Sequence, residues 1–198
     1  MAVAVLVMGY LLGSVPTGLL VVRALTGQDI RAAGSGNIGT VNVYRVAGLP
    51  ASVLVLAVDM LKGVVPVILT RAWGQPAEIQ VAGGLAAIAG HNWSLFLGFG
   101  GGKGIATSFG VLLAISPLVG VIAAVVWGIV VAITRYASLG SLLGMISVPV
   151  TMWWRREPPA YLVFGLITLT FAVYRHRANL ARLISGTELR VTDKPGGS

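Results

Sequence analysis

Cysteine is absent from this chain of 198 residues, which excludes disulfide bonds and thiolate chemistry. Charged residues make up only 10% of the sequence, whereas a soluble domain is about a quarter charged. The two histidines and six acidic residues do not cluster with the spacing of a zinc site, so we predict no metal. Because 56% of the residues are hydrophobic, the sequence instead predicts an integral membrane protein.

The little charge that is present is mainly basic, with 14 Lys and Arg residues and a net charge of +8. A basic chain can bind nucleic acid. In so apolar a chain the charge indicates anionic headgroups, anionic substrates and orientation in the membrane. We therefore predict contacts with membrane lipids, no nucleic acid partner and no obligatory protein partner.

Seven apolar segments follow one another, and a spanning helix needs roughly 20 such residues. They cover residues 2–22, 46–69, 78–97, 105–115, 117–134, 139–154 and 160–174. The first contains a polar break at 13–18. No Lys or Arg precedes it, which favours a retained span over a signal peptide. The fourth is too short for an ordinary straight span and is predicted to be tilted, broken or partly re-entrant.

The basic residues predict the orientation of these segments. With seven crossings and the N-terminus outside, Arg71, Arg155 and Arg156 fall on the outer side and most other basic residues on the inner side. If the fourth segment did not cross, the basic C-terminal tail would lie outside. We predict an all-α integral membrane protein with seven transmembrane helices, one of them short or broken, and a cytoplasmic C-terminus. Residues 1–198 form a single domain with a flexible tail at 190–198.

Two glycine-rich polar strings lie between the apolar segments, GSGNIGTVNVYR at 34–45 and GGGKGIAT at 100–107. Small residues let a backbone turn tightly and direct its N–H groups at an anion. In the predicted topology both strings face the cytoplasm, as does the basic stretch at 175–190. The second string lacks the spacing of a nucleotide-binding P-loop. We predict a phosphate site on the cytoplasmic face, with plain interfacial turns as the alternative.

Single residues in these strings support an anion site. If a helix begins near Asn37, then Asn42 and Arg45 are three apart and share one face of it, so that Ser35, Asn37, Asn42 and Arg45 could converge on one anion. Lys103 precedes a predicted helix whose N-terminus attracts anions, although a lysine that snorkels to the interface is the alternative.

Other polar residues leave two interpretations open. Asp59 and Lys62 share a helix face inside a span, as an ion pair or as substrate ligands. In the tail, His176 and Asn179 form one polar face that favours function. For Arg175 and Arg177 a basic stripe on anionic lipid is favoured.

Five strings in this chain carry a resemblance to a known family. They are GSVPTG at 13–18, DIRAAGSGNIGTVNVYR at 29–45, DMLKG at 59–63, HNWSLFLGFGGGKGIAT at 91–107 and RHRANLARLISGTEL at 175–189. Over nearly its whole length the chain resembles the acyl-phosphate:glycerol-3-phosphate acyltransferases of bacterial membranes, the PlsY family. It departs from that family at Ile38 and Ser94, where members often have Pro, and at Gly100, where they often have Lys.

The resemblance implies a seven-helix enzyme of the bacterial inner membrane with its active site on the cytoplasmic side. Such an enzyme moves a fatty acyl group from acyl phosphate to the 1-hydroxyl of glycerol 3-phosphate, giving 1-acyl-glycerol 3-phosphate (lysophosphatidic acid) and phosphate. This is the first acylation of phospholipid synthesis, and it needs no cofactor and no metal.

The implied reaction requires two anion sites and donors for an oxyanion. We expect catalytic roles for Ser35, Asn37, Lys103, His176 and Asn179. We expect substrate-binding roles for Gly34, Gly36, Asn42, Arg45, Lys62, Gly101, Gly102, Gly104, Arg182 and Glu188.

Several points of mechanism and function stay open at the level of sequence. The oxyanion donors are backbone N–H groups near Gly102 and Gly104 or the amide of Asn37. The proton of the attacking hydroxyl passes to His176 or to a substrate phosphate. A small membrane transporter of a phosphorylated metabolite is the alternative function, and a purely structural membrane subunit is a third. The concentration of polar residues on one side argues against translocation.

Overall fold

A computed structural model describes residues 2–193 of the chain, and within this range the secondary structure is entirely helical. The α-helices are α1 (Ala2–Ser14), α2 (Thr17–Thr26), α3 (Thr40–Ala72), α4 (Ala77–Asn92), α5 (Ile105–Ile115), α6 (Pro117–Thr134), α7 (Ala137–Trp154), α8 (Pro159–Arg175) and α9 (Arg177–Ile184). Two short 3₁₀ turns, Ile30–Ala32 and Leu95–Leu97, lie in the loops that follow α2 and α4. Part of the tail predicted to be flexible, residues 194–198, lies outside the described residues.

Four helical stretches are long and apolar enough to cross a membrane. They are Ala2–Thr26, which combines α1 and α2, and the helices α3, α6 and α7. Helices α5 and α8 are shorter but also apolar. Large apolar side chains such as Val53, Ile129 and Val150 are exposed on the outside of the bundle. The chain is therefore an all-helical integral membrane protein.

Two predicted helix boundaries are wrong. The helix expected to begin near Asn37 begins at Thr40, because the Asn37 side chain accepts the Gly39 N–H in a tight turn instead. The segment predicted at 78–97 ends as a helix at Asn92, where the chain turns away from the bundle. The predicted break in the first segment is confirmed, since Pro16 separates α1 from α2.

Glycines bring the helices around the site close together. A side chain on Gly13 or Gly90 would overlap the backbone of the facing helix in the α1–α4 pair. In the same way, a side chain on Gly110 of α5 would overlap the Met60 carbonyl of α3. Helix α5 is therefore held at the centre of the bundle, with α3 packed on one side and α6 on the other.

Candidate active site

A cavity of about 730 Å³ lies among α3, α5 and α6. Most of its polar lining residues lie at the N-terminal ends of α3, α5 and α7, on α9 and in the segment that follows α9. Asp59 in the middle of α3 and His91 at the end of α4 line it as well. Its apolar lining residues lie further along α3, α5 and α6. One cavity thus joins a polar end, near the loops, to an apolar limb that runs along the helices.

Most of the residues predicted for the site line this cavity. Its lining includes Ser35, Asn37, Asn42, Arg45, Lys103, Gly104, His176, Asn179, Arg182 and Glu188. Three parts of the chain that are far apart in sequence therefore meet at one place, as the sequence predicted. Five predicted residues are not in the lining: Gly34, Gly36, Lys62, Gly101 and Gly102.

Asn42 holds the first glycine-rich string in its folded shape. Its side-chain oxygen accepts the Ser35 N–H at 2.9 Å, and its nitrogen donates to the carbonyl oxygens of Ala33 and Asn37. Gly34 has a positive φ of 58° and lies so close to Asn42 that a side chain there would overlap the amide. The Asn42 amide thus fixes the turn that carries Ser35 and Asn37 to the cavity.

Lys103 belongs to a chain of hydrogen bonds that reaches the C-terminal segment. Its Nζ donates to Asn179 Oδ1 at 2.6 Å, and Asn179 Nδ2 donates to Glu188 Oε1. Burial is the main cause that lowers the Lys103 pKa from 10.5 to about 8, and the Arg182 and Arg45 charges add to it. At pH 7 Lys103 is therefore still mostly a cation, directed at the polar end of the cavity.

Glu188 is the acceptor on which this polar end is built. Besides Asn179, it accepts hydrogen bonds from Ser138 Oγ at 2.6 Å and from Arg182 Nε at 2.8 Å. Burial raises the Glu188 pKa, but these three hydrogen bonds outweigh burial and the pKa is lowered overall. The carboxylate stays charged and orients Asn179 and Arg182.

His176 is buried, with 2% of its surface exposed. Its Nδ1 lies 2.8 Å from the Ala172 carbonyl oxygen, which can only accept, so Nδ1 carries the proton and Nε2 the lone pair. Burial, followed by the nearby Lys103 charge, lowers the His176 pKa to about 4. At pH 7 His176 is a neutral imidazole whose free nitrogen accepts hydrogen bonds.

Arg45 joins the cavity to the segment after α9. Its guanidinium donates to the carbonyl oxygens of Leu189 and Arg190. The same segment is tied to the α6–α7 connection, where the Arg135 carbonyl oxygen accepts the Val191 N–H. The segment is therefore held at the polar end of the cavity, where Glu188 and Leu189 contribute to the lining.

The second glycine-rich string uses its backbone groups differently from our expectation. The Gly102 N–H donates to the His91 carbonyl oxygen at 2.9 Å and is therefore not available to an oxyanion. The hydrogen bonds of α5 begin only where Ser108 N–H donates to the Gly104 carbonyl oxygen. The N–H groups of Ile105 and Ala106, both in the cavity lining, are thus among the donors in the first turn of α5 that have no intrahelical acceptor.

Arg175 and Lys62 have roles that sequence analysis assigned otherwise. The prediction of a lipid-facing stripe is wrong for Arg175, which donates to the carbonyl oxygens of Gly102 at 2.9 Å and Gly101 at 2.7 Å. In the sequence, only the position of Arg175 directly before His176 indicated that it could lie at the site. Lys62 is buried in an ion pair with Asp59 and does not itself line the cavity, although Asp59 does. The ion-pair interpretation is therefore favoured for Lys62.

Two further lining residues were missed from sequence. Ser138 was missed because its only distinguishing feature is the Glu188 partner 50 positions away. His91 lines the cavity too, although a lone histidine on an apolar helix gives no signal of that position.

The apolar limb is lined by side chains that suit an alkyl chain. Met60 of α3, Phe109 and Leu113 of α5, and Val121 and Val125 of α6 line it. From Ile105 to Leu113 α5 rises about 12 Å. A chain bound there would replace lipid contacts with protein contacts while its polar end stays among the cations.

Comparisons with known proteins agree on one family. The family model described as glycerol-3-phosphate acyltransferase matches residues 3–186. The glycerol-3-phosphate acyltransferase of Desulforamulus reducens is 43% identical over 97% of this chain and 96% of its own length. That of Rubrobacter xylanophilus is also 43% identical, over 98% of both chains.

Two solved structures share the fold. The crystal structure of PlsY, an integral membrane glycerol 3-phosphate acyltransferase, in its glycerol 3-phosphate form superimposes with a TM-score of 0.90 at 37% identity, over 96% of this chain and 94% of that one. Its lysophosphatidic acid form gives a TM-score of 0.88 over the same shares. The chain therefore belongs to the PlsY-type family of glycerol-3-phosphate acyltransferases, and it is an enzyme that acylates glycerol 3-phosphate to lysophosphatidic acid.

Proposed function

We propose that the acyl donor is an acyl phosphate and that the acceptor is the 1-hydroxyl of sn-glycerol 3-phosphate. The observation that carries this proposal is the single cavity that joins a cationic end to an apolar limb. Both reactants carry phosphate, and the polar end offers Arg45, Lys103 and Arg182 to bind it. The apolar limb accepts the fatty chain without removing it from an apolar environment.

The reaction forms one ester bond and breaks one mixed anhydride bond. The hydroxyl oxygen of glycerol 3-phosphate attacks the acyl carbon, and the bond from that carbon to the phosphate oxygen breaks. During the attack the carbonyl oxygen gains negative charge, which free N–H donors stabilise. The N–H groups of Ile105 and Ala106, next to Lys103, are the donors we assign to it, with the Asn37 amide as a further candidate.

We propose that the hydroxyl proton ends on the released phosphate. The His176 pKa of about 4 makes this imidazole a weak base. A phosphate group takes up its second proton at about pH 6, so the phosphate oxygen released from the acyl carbon is the stronger base. In this assignment His176 Nε2 accepts the hydroxyl hydrogen bond and orients the attacking oxygen, and the phosphate takes the proton.

The remaining predicted residues receive binding and positioning roles. Ser35 and Asn37 donate to one phosphate from the turn that Asn42 holds, and Arg45 and Lys103 supply charge. Asn179 and Arg182 face the second phosphate, oriented by Glu188. Gly34, Gly36, Gly101 and Gly102 let the two strings adopt their turns, and Gly104 has the positive φ of 74° that starts α5.

We propose a single catalytic domain over residues 1–198 with seven crossings, located in the bacterial inner membrane with the site facing the cytoplasm. The basic residues on the side of the cavity support this orientation. Because the chain has no cysteine, single cysteines at positions 135 and 155 test it directly. An impermeant thiol reagent should label position 135 only from the cytoplasmic side and position 155 only from the outside.

Reconstituted protein supplied with labelled glycerol 3-phosphate and one acyl donor at a time tests the donor. We expect lysophosphatidic acid and an equal amount of phosphate from acyl phosphate, and no product from acyl-CoA. Product formed from acyl-CoA would contradict the proposed donor. Uptake of label without acylation would support the transporter instead.

A further inference from the structure

Three buried side chains have no part in the reaction proposed above: Asp59 and His91 line the cavity, and Lys62 lies behind them outside its lining. Asp59 is 1% exposed, Lys62 is 6% exposed and His91 is 5% exposed. We refer to these three residues as the support cluster. Charged side chains are costly within a membrane-spanning segment, and their presence there by default indicates a function.

The support cluster is anchored at the break between α1 and α2. Lys62 Nζ donates to Asp59 Oδ1 and, at 2.6 Å, to the Val15 carbonyl oxygen. That carbonyl oxygen lies at the break that Pro16 makes between α1 and α2, where it also accepts the Thr17 N–H at 3.0 Å. Asp59 Oδ1 in turn lies 3.8 Å from His91 Nδ1. The break, α3 and α4 are thereby linked at one point.

His91 connects the support cluster to the glycine string through two contacts. Its carbonyl oxygen accepts the Gly102 N–H at 2.9 Å. Its ring lies directly against the Cα of Gly102, so that a side chain at position 102 would overlap His91 Nε2. On the other side, Arg175 donates to the carbonyl oxygens of Gly101 and Gly102. The position of the Gly102 backbone is therefore set by His91 and Arg175 together.

We propose that His91 is a positioning residue for acyl transfer: its ring and carbonyl oxygen hold Gly102, and thereby place Lys103 and the first turn of α5 against the reacting phosphate. Asp59, paired with Lys62, packs beside His91 at 3.8 Å. This inference rests on the phosphate-binding role proposed for Lys103. A shift of about 1 Å in a group that orients the reactants costs about 100-fold in rate, so small movements of Gly102 are felt at the site.

A double-mutant cycle between Gly102 and His91 tests the proposal. Gly102→Ala pushes a methyl group into the imidazole, and His91→Ala removes the imidazole that holds the loop. We expect each single variant to lower kcat/KM for glycerol 3-phosphate by about 100-fold. In the double variant the methyl group of position 102 fills part of the space left by the ring, so the loss is much smaller than the product of the two single losses.

The pH dependence gives a readout that a purely structural role would not move. In the pH–rate profile, kcat/KM should fall on the alkaline side as Lys103 loses its charge, and we call this fall the alkaline limb. In His91→Ala the limb should shift, because the surroundings of Lys103 change. In the double variant it should return toward the wild-type position. If His91→Ala does not yield monodisperse protein in detergent, the neutral pair Asp59→Asn and Lys62→Met replaces it. That variant leaves no unpaired charge and should raise KM for glycerol 3-phosphate.

Gly84 and Val111 provide the matched control pair. A side chain on Gly84 would press on Val111 in the bundle core, and neither residue lines the cavity. Gly84→Ala and Val111→Ala should change the apparent melting temperature and leave KM and the alkaline limb unchanged. Additive losses in the Gly102–His91 cycle, with an unmoved alkaline limb, would overturn the proposal. If wild-type enzyme makes no product from acyl phosphate, the proposed donor fails instead, and the cycle remains interpretable with whichever donor supports turnover.

Discussion

Lys103 Nζ donates a 2.6 Å hydrogen bond to Asn179 Oδ1, which joins the glycine string before α5 to α9 across 76 residues of sequence. Asn179 is held in turn by Glu188, so the amide presents its oxygen to the lysine and its nitrogen to the carboxylate. This arrangement fixes the cation without neutralising it. It also makes the phosphate end of the cavity sensitive to pH and to single substitutions.

The lowered pKa of Lys103 predicts the alkaline limb of the pH–rate profile. Because the pKa is about 8, the ammonium loses its charge as the pH rises through that value, and kcat/KM should fall there. Lys103→Arg keeps a cation at all accessible pH values and should move the limb upward. Lys103→Met should lose about 100-fold in kcat/KM at pH 7. Steady-state kinetics of the wild type, Lys103→Arg and Lys103→Met from pH 6 to 9.5 measure these three effects.

A limb that stays near pH 8 in Lys103→Arg would show that another group titrates there. Gln28→Met is a suitable control for this series. Gln28 lies in an exposed loop, and its side chain makes no hydrogen bond in the described part of the chain. Its profile should match that of the wild type.

His176→Gln should retain the shape of the pH–rate profile between pH 3.5 and 8, a range that includes the His176 pKa of about 4, with turnover lowered about 10-fold because the hydroxyl is less well oriented. A side-chain amide still offers an acceptor oxygen, and the proton passes to phosphate in either enzyme. If the wild type has an acidic limb in this range that the variant lacks, the imidazole is the base.

The same histidine predicts an effect on stability with a definite sign. The folded-state pKa of about 4 lies below the ordinary 6.5, so between these values the unfolded chain binds a proton that the folded chain does not. Stability should therefore decrease as the pH falls from 6.5 to 4. Thermal unfolding of His176→Gln in detergent should show a smaller decrease over this window than that of the wild type.

Glu188→Ala should destabilise the protein as well as inactivate it. The substitution leaves Ser138, Asn179 and Arg182 without their shared acceptor, at a cost of about 2 kcal/mol. In a chain of this size the apparent melting temperature should fall by about 6 °C. Because the Glu188 pKa is lowered in the folded state, its contribution is present above pH 4.5 and is lost as the pH falls through the folded-state value.

The difference in melting temperature between Glu188→Ala and wild type should therefore shrink under acidic conditions. A difference that stays constant from pH 7 down to pH 3 would contradict the role given to the carboxylate. Glu78→Ala, in the first turn of α4 and away from the cavity, is the control that should change neither quantity.

Substitutions in the apolar limb should change chain-length preference. Ala124→Trp on α6 fills the limb, so long acyl phosphates lose about 0.8 kcal/mol for each methylene displaced, while short ones are little affected. Ile129→Trp places the same side chain on an exposed position of the same helix that does not line the cavity. Kinetics with a series of acyl phosphates of increasing chain length measure this preference. If both substitutions changed it equally, the assignment of the apolar limb to the acyl chain would be contradicted.

Much of this architecture could be predicted from sequence because the bilayer imposes simple rules. Long apolar runs gave the membrane class and the approximate positions of the helices, and the break at Pro16 was visible as a proline beside glycines. The convergence of Ser35, Lys103 and His176 followed from charge counting, since all three fall on one side of the membrane under the positive-inside rule.

Contacts made through the backbone could not be predicted in this way. Glycine composition indicates a tight turn, but it does not say which N–H group remains free. The Gly102 N–H is used by His91, and the Gly102 carbonyl by Arg175. The amide of Asn42 likewise satisfies backbone groups of a preceding loop. Such pairings depend on how distant segments pack, which neither periodicity nor spacing determines.

The most direct measurement is a crystal structure of the enzyme with glycerol 3-phosphate and a non-reactive acyl phosphonate bound together. We expect the phosphonate beside Lys103 and the first turn of α5, the glycerol hydroxyl within hydrogen-bond reach of His176 Nε2, and the alkyl chain along α6. A phosphonate bound outside this cavity, or an alkyl chain that leaves the limb between α5 and α6 empty, would contradict the assignment of the site.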